Sequence, residues 1–109
     1  MVTIKLDRVR AMRFDYRAMK RFSALTGKSI TAVDPRDMLP PEMEKLAFCM
    51  LQEDAEENGE KLKLTDMEEL LQQAPVGVLF EAIGETLSEA FGKAKDEDGQ
   101  TEEPDEKNG

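Results

Sequence analysis

Histidine and tryptophan are absent from this 109-residue chain, and cysteine and tyrosine occur once each. Without histidine, neither a serine–histidine–aspartate triad nor a cysteine–histidine pair can be assembled. Zinc would also lack its usual nitrogen and multi-sulfur ligands. A single cysteine, Cys49, excludes an internal disulfide and suits a reducing cytosol. Set among Leu46, Ala47, Phe48, Met50 and Leu51, it reads as a small buried hydrophobe. No apolar run approaches the ~18 residues of a membrane span. No basic segment followed by a long apolar stretch opens the chain, so no signal peptide is expected. Glycine-rich phosphate loops are missing too: Gly77 and Gly84 stand alone in apolar surroundings. These absences argue against an enzyme and against a bound cofactor or metal.

Two weaker chemical patterns have plain structural explanations. Asp54-x-Glu56-x-Asn58-Gly59 resembles the start of a calcium-binding loop. The bidentate carboxylate would belong six places after the glycine, where Thr65 stands, so the segment reads as a solvated helix end closed by Gly59. The carboxylate pairs Glu56-Glu57 and Glu68-Glu69 have nothing in the sequence to desolvate them, and read as helix surface.

What the chain does have is charge, unevenly spread. Charged residues make up 36% and apolar ones 39%, enough for one domain with a modest core. Residues 1–37 hold nine Lys and Arg against four Asp and Glu, a balance of +5. Residues 38–109 hold six against twenty, or −14, which together give the net −9. That net charge disfavours nucleic-acid binding through the whole surface.

The patterning predicts a mostly helical α+β fold: an N-terminal β-hairpin, about four helices and a disordered acidic C-terminal tail. Val2, Ile4 and Leu6 alternate with Thr3 and Lys5 as a half-buried strand. Met12 and Phe14 flanking Arg13 suggest a second strand, with Asp7-Arg8-Val9-Arg10 between the two. Asp15 sits at an N-cap position, Ala18, Met19, Phe22 and Leu25 follow at helical spacing, and Gly27 is a C-terminal stop. Asp34-Pro35 can open a brief turn, and a helix is expected from about Pro41 to Asn58 with Met43, Leu46, Ala47, Met50, Leu51 and Ala55 inward. Thr65-Asp66-Met67-Glu68 has the form of a capping box before a short helix to Ala74. A last helix carries Val76, Leu79, Phe80, Ile83, Leu87, Ala90 and Phe91. The seven methionines read mainly as core filler, although such residues also suit adaptable binding surfaces. The domain is placed at 1–92. From 93 onward the composition changes, and 96–109 contain no Val, Ile, Leu, Met or aromatic residue, which predicts disorder over 93–109.

The functional candidates are cationic. Arg8, Arg10, Arg13, Arg17, Lys20 and Arg21, with Lys28 beyond, would form a basic edge if the hairpin packs on the first helix. Such an edge suits an acidic protein, or the acidic half of another copy, better than nucleic acid, because aromatic support is thin. A small nucleic-acid-associated regulator using that face is the alternative.

The series Leu6-Asp7, Met12-Arg13-Phe14-Asp15-Tyr16-Arg17-Ala18 and Leu25-Thr26-Gly27-Lys28-Ser29-Ile30 resembles the tail assembly chaperones of long-tailed bacteriophages and prophages. The likeness is close over about 2–31 and extends to 41–92 only in helical character; Arg8 stands where that family often has glycine. The resemblance implies a non-enzymatic, transient factor in the bacterial cytoplasm. It would coat the tape measure protein, help recruit tail tube subunits and be missing from the mature virion. Self-association on the partner, driven by the opposed charges, is a further expectation. No membrane partner is expected.

Overall fold

The computed structural model describes residues 1–96. Of the tail expected over 93–109, residues 97–109 lie outside the described residues, whereas 93–96 are helical.

Two strands, β1 (Val2–Lys5) and β2 (Val9–Met12), pair antiparallel, with Val2 opposite Met12 and Lys5 opposite Val9. The second strand thus begins earlier than the Met12–Phe14 alternation suggests, and the connection is only Leu6-Asp7-Arg8. The reason is Arg10. It shares the inward face with Met12 and is almost fully buried, so the true alternation includes a charged residue and is invisible to hydropathy. Two outward amides, one on this strand and one just after it, are taken by α2. Ala11 N–H donates to Asp54 Oδ1 at 3.2 Å, and Arg13 N–H donates to the Met50 carbonyl at 3.0 Å.

Helix α1 (Tyr16–Thr26) starts where Asp15 Oδ1 accepts from Ala18 N–H at 2.9 Å. It ends at Gly27, whose φ of 71° is a left-handed value that glycine adopts without a Cβ clash. Two short 3-10 turns follow, Ile30–Ala32 and Pro35–Asp37, capped by Ser29 and Asp34 side chains. Helix α2 (Pro40–Glu57) begins on the Pro-Pro pair, and Gly59 (φ 69°) turns the chain after it. It is the central element: Leu46, Ala47, Cys49, Met50, Leu51 and Ala55 are buried against α1, the hairpin and α3 (Met67–Leu71). Helix α4 (Val76–Asp96) packs on β1 and runs through residue 92, where the composition changes. Met12, Met38, Met50 and Met67 are all core residues, with Met43 partly covered at the edge.

Two expectations fail locally. Thr65 does not cap α3. Leu64–Asp66 forms a 3-10 turn instead, and the Asp66 carboxylate accepts from Lys63 N–H at 3.0 Å. The Met67 N–H, first amide of α3, is taken by the Leu64 carbonyl within the 3-10 turn, so the backbone meets it in place of the threonine hydroxyl. The buried face of α4 is also displaced. Leu79, Ala82, Ile83 and Thr86 are buried, while Val76, Phe80, Ala90 and Phe91 are exposed. At about 100° per residue, the covered arc is rotated some 60–70° from the centre of the apolar stripe. Burial of Thr86 costs little because its hydroxyl donates to the Ala82 carbonyl at 2.7 Å.

Candidate functional site: an ion-paired hairpin and an open apolar track

The six cationic candidates divide into two sets. Arg10, with a side chain only 5% exposed, donates through Nε and Nη2 to the two oxygens of Asp7 at 2.8 and 2.9 Å. Its Nη1 donates to Glu60 Oε1 at 2.9 Å. Arg8 donates to Asp54 Oδ2 at 2.6 Å and to both oxygens of Glu60 at 3.0 and 3.1 Å. Arg13 donates to Glu53 Oε2 at 2.9 Å. These three residues therefore bind the hairpin to the far end of α2 and the loop after it. Arg8, at the position where the resembled family often has glycine, is itself one of the ties.

The carboxylates respond accordingly. Hydrogen bonding to Arg10 holds the Asp7 carboxyl below its ordinary value of 3.8. The Glu60 carboxyl, bonded first to Arg8 and then to Arg10, lies below its ordinary 4.5. Asp54, the first position of the calcium-loop-like segment, turns its carboxylate to Arg8 and the Ala11 amide, while Asn58 donates to the Asp54 carbonyl. Among the described residues there is no cluster of acidic, histidine or cysteine side chains placed to hold a metal ion. Burial pushes the Cys49 thiol up to about 11, away from the thiolate a nucleophile needs.

Arg17, Lys20 and Arg21 are the second set. They lie along α1, and among the described residues none is in a salt bridge. Lys28 pairs with Glu42 at the start of α2.

The larger uncovered feature is apolar, and sequence reasoning assigned its residues to the core. Between the start of α2, α3 and the start of α4 lies an open groove of about 410 Å³. Its apolar lining comes from Pro40 and Met43 of α2, Leu71 at the end of α3 and Ala74 just after it, and Val76 and Leu79 of α4. Leu39, next to Pro40, is 68% exposed, and Val76 is 66% exposed. From Val76 the apolar surface continues along α4. Phe80, Leu87 and Phe91 follow at helical angles within about 60° of Val76. Phe80 and Phe91 are exposed and Leu87 partly so. Gly84 lies beside that line, and a Cβ placed there would meet no atom within 4 Å. The Phe91 ring leans on Phe14, with centroids 6.4 Å apart. From Val76 to Phe91 the track is about 23 Å long at ~1.5 Å per residue.

Fully burying a Leu, Val or Phe side chain is worth about 1.5–3 kcal/mol. Leaving several uncovered in a line, next to a groove, is the pattern of a surface that another chain covers. The signal in the sequence was the width of the α4 stripe, which holds more large apolar residues than one packed face needs. Among the described residues, no helix is long and apolar enough to cross a membrane. No family model, curated protein or solved structure matches the chain.

Proposed function

We propose that this protein is a non-enzymatic assembly factor that sheathes an exposed helical segment of another protein. The half-covered apolar stripe of α4, continuous with the α2–α3–α4 groove, carries this reading. A helix laid along such a surface presents anchors at i, i+3 or i+4 and i+7, and hides its own apolar face from water. The surface is about four helical turns long, so one contact is modest, and several copies along one rod would gain by avidity.

Together with the likeness of residues 2–31 to phage tail assembly chaperones, this makes a tape measure protein the partner. Tail tube subunits are then recruited to the coated rod, and the factor acts in the bacterial cytoplasm and leaves before the tail is complete. The charged hairpin supports the reading indirectly, because Arg8, Arg10 and Arg13 are occupied by carboxylates and are not free to contact phosphate.

Co-expression with a long helical tape measure protein tests the proposal. The native chain should keep the partner in the soluble fraction, and the Val76→Asp, Phe80→Asp pair should lose that effect while remaining folded. Equal rescue by the variant, or no rescue by either chain alongside tight, salt-sensitive binding to DNA, would overturn it.

A further inference from the structure

The groove and track also carry a charge pattern, and it specifies the occupant. Resting on the sheathing function above, we infer that this surface takes an amphipathic helix flanked by lysine or arginine, supplied by a different protein.

The ionic side chains lining the groove are Glu44 on α2 and Glu68 on α3, with no lysine or arginine among them. On α4 between 76 and 92, the ionic residues are Glu81, Glu85 and Glu89, again all acidic. Glu81 lies on the open flank of the track, about 60° beyond Gly84 around the helix. An incoming helix thus meets an apolar floor bordered by Glu44, Glu68 and, on the open flank of the track, Glu81, whereas Glu85 and Glu89 lie on the far side of α4, about 150–170° from the track. Acidic flanks would be repelled, whereas basic flanks would gain charge-assisted contacts and steering. The missing side chain at Gly84 leaves room for the partner backbone to come close near the middle of the track.

The chain itself supplies no suitable occupant. Among the described residues, the cationic amphipathic helix is α1, but Ala18 and Phe22 are buried in the core, and Met19 and Leu25 pack against it. Residues 97–109 contain no large apolar residue and would add like charge to the border. A second copy offering its own α4 track would set its Glu81 against the same carboxylate borders. A foreign helix with the opposite flanking charge remains.

Fluorescence anisotropy on the full chain can read this out. Two labelled 18-residue amphipathic peptides would share one apolar face, one flanked by lysine and the other by glutamate. The lysine-flanked peptide should bind roughly tenfold more tightly at low salt, and the gap should close at about 0.5 M NaCl. Glu44→Lys, Glu68→Lys and Glu81→Lys together should reverse the preference; all three positions are outside the core, and circular dichroism checks that the variant folds. Val76→Asp with Phe80→Asp should remove binding of both peptides. Equal affinity for the two peptides, or a preference for the glutamate-flanked one, would overturn the charge inference and leave the sheathing function standing. Binding of neither peptide would overturn both.

Discussion

The two ends of α2 are finished in opposite ways. At its C-terminal end, Asp54 and the following Glu60 meet Arg8 and Arg10, and the charged groups are spent on one another. At its N-terminal end, Pro40 and Met43 look across an open groove at Leu71 and Val76, and apolar surface stays uncovered. Residues that hydropathy assigns to the surface act as mortar, and residues it assigns to the core act as surface. Stability should therefore concentrate at the hairpin end and recognition at the groove end.

Truncating one side chain in each region gives the sharpest contrast. Met12→Ala empties a fully buried position on β2 and should cost about 2–5 kcal/mol in urea unfolding. Phe80→Ala should cost under about 1 kcal/mol. Similar losses at the two sites would erase the distinction between the regions.

Arg10→Ala comes next. Breaking a buried ion pair costs about 3–5 kcal/mol when the remaining charge is trapped. Here Asp7 and Glu60 are 49% and 36% exposed and can rehydrate, so about 2–3 kcal/mol is expected, part of it lost packing. Arg10→Met, which keeps the volume, should lose less.

Acid should act on the same end. The folded Asp7 and Glu60 carboxyls lie below their ordinary values of 3.8 and 4.5, so over that range the unfolded chain binds more protons. Their contribution is present above the ordinary carboxyl range and is lost as pH falls through the folded values. The urea midpoint should hold steady from about pH 6 to 5 and drop below about pH 4, less steeply in Arg10→Met. An identical acid slope in that variant would show that these pairs do not carry the effect.

Smaller effects complete the gradient. Asp15→Ala should cost about 1 kcal/mol through the lost α1 cap, measured by thermal unfolding. Val76→Asp should leave stability within about 0.5 kcal/mol, because the side chain already faces water, while abolishing partner capture.

Features fixed by neighbours in the chain were legible in the sequence. The Asp15 cap, the Gly27 stop and the Asp34-Pro35 turn each depend on residues within a few positions. So did the inward face of α2, whose stripe is wrapped by other elements on several sides. Features decided by distant contacts were not. Arg10 is inward only because Asp7 and Glu60 neutralise it, and Glu60 lies fifty residues away. The rotation of α4 depends on which part of a wide stripe β1 covers, and small Ala82 and self-satisfied Thr86 suit that packing better than Phe80 or Phe91. Of the cationic candidates, composition located the cluster but could not separate Arg8, Arg10 and Arg13, which are engaged, from Arg17, Lys20 and Arg21 along α1.

The two amides that Ala11 of β2 and the next outward residue, Arg13, give to α2 have a consequence for how copies of this protein can grow together. Ala11 and Arg13 are where a passing extended chain would register to add a third strand, and both donors are already taken. The remaining strand edges are short, and β1 is four residues long and carries Lys5, which suits it poorly to template a ribbon. Crowded copies are thus steered away from pairing edge to edge into cross-β fibrils.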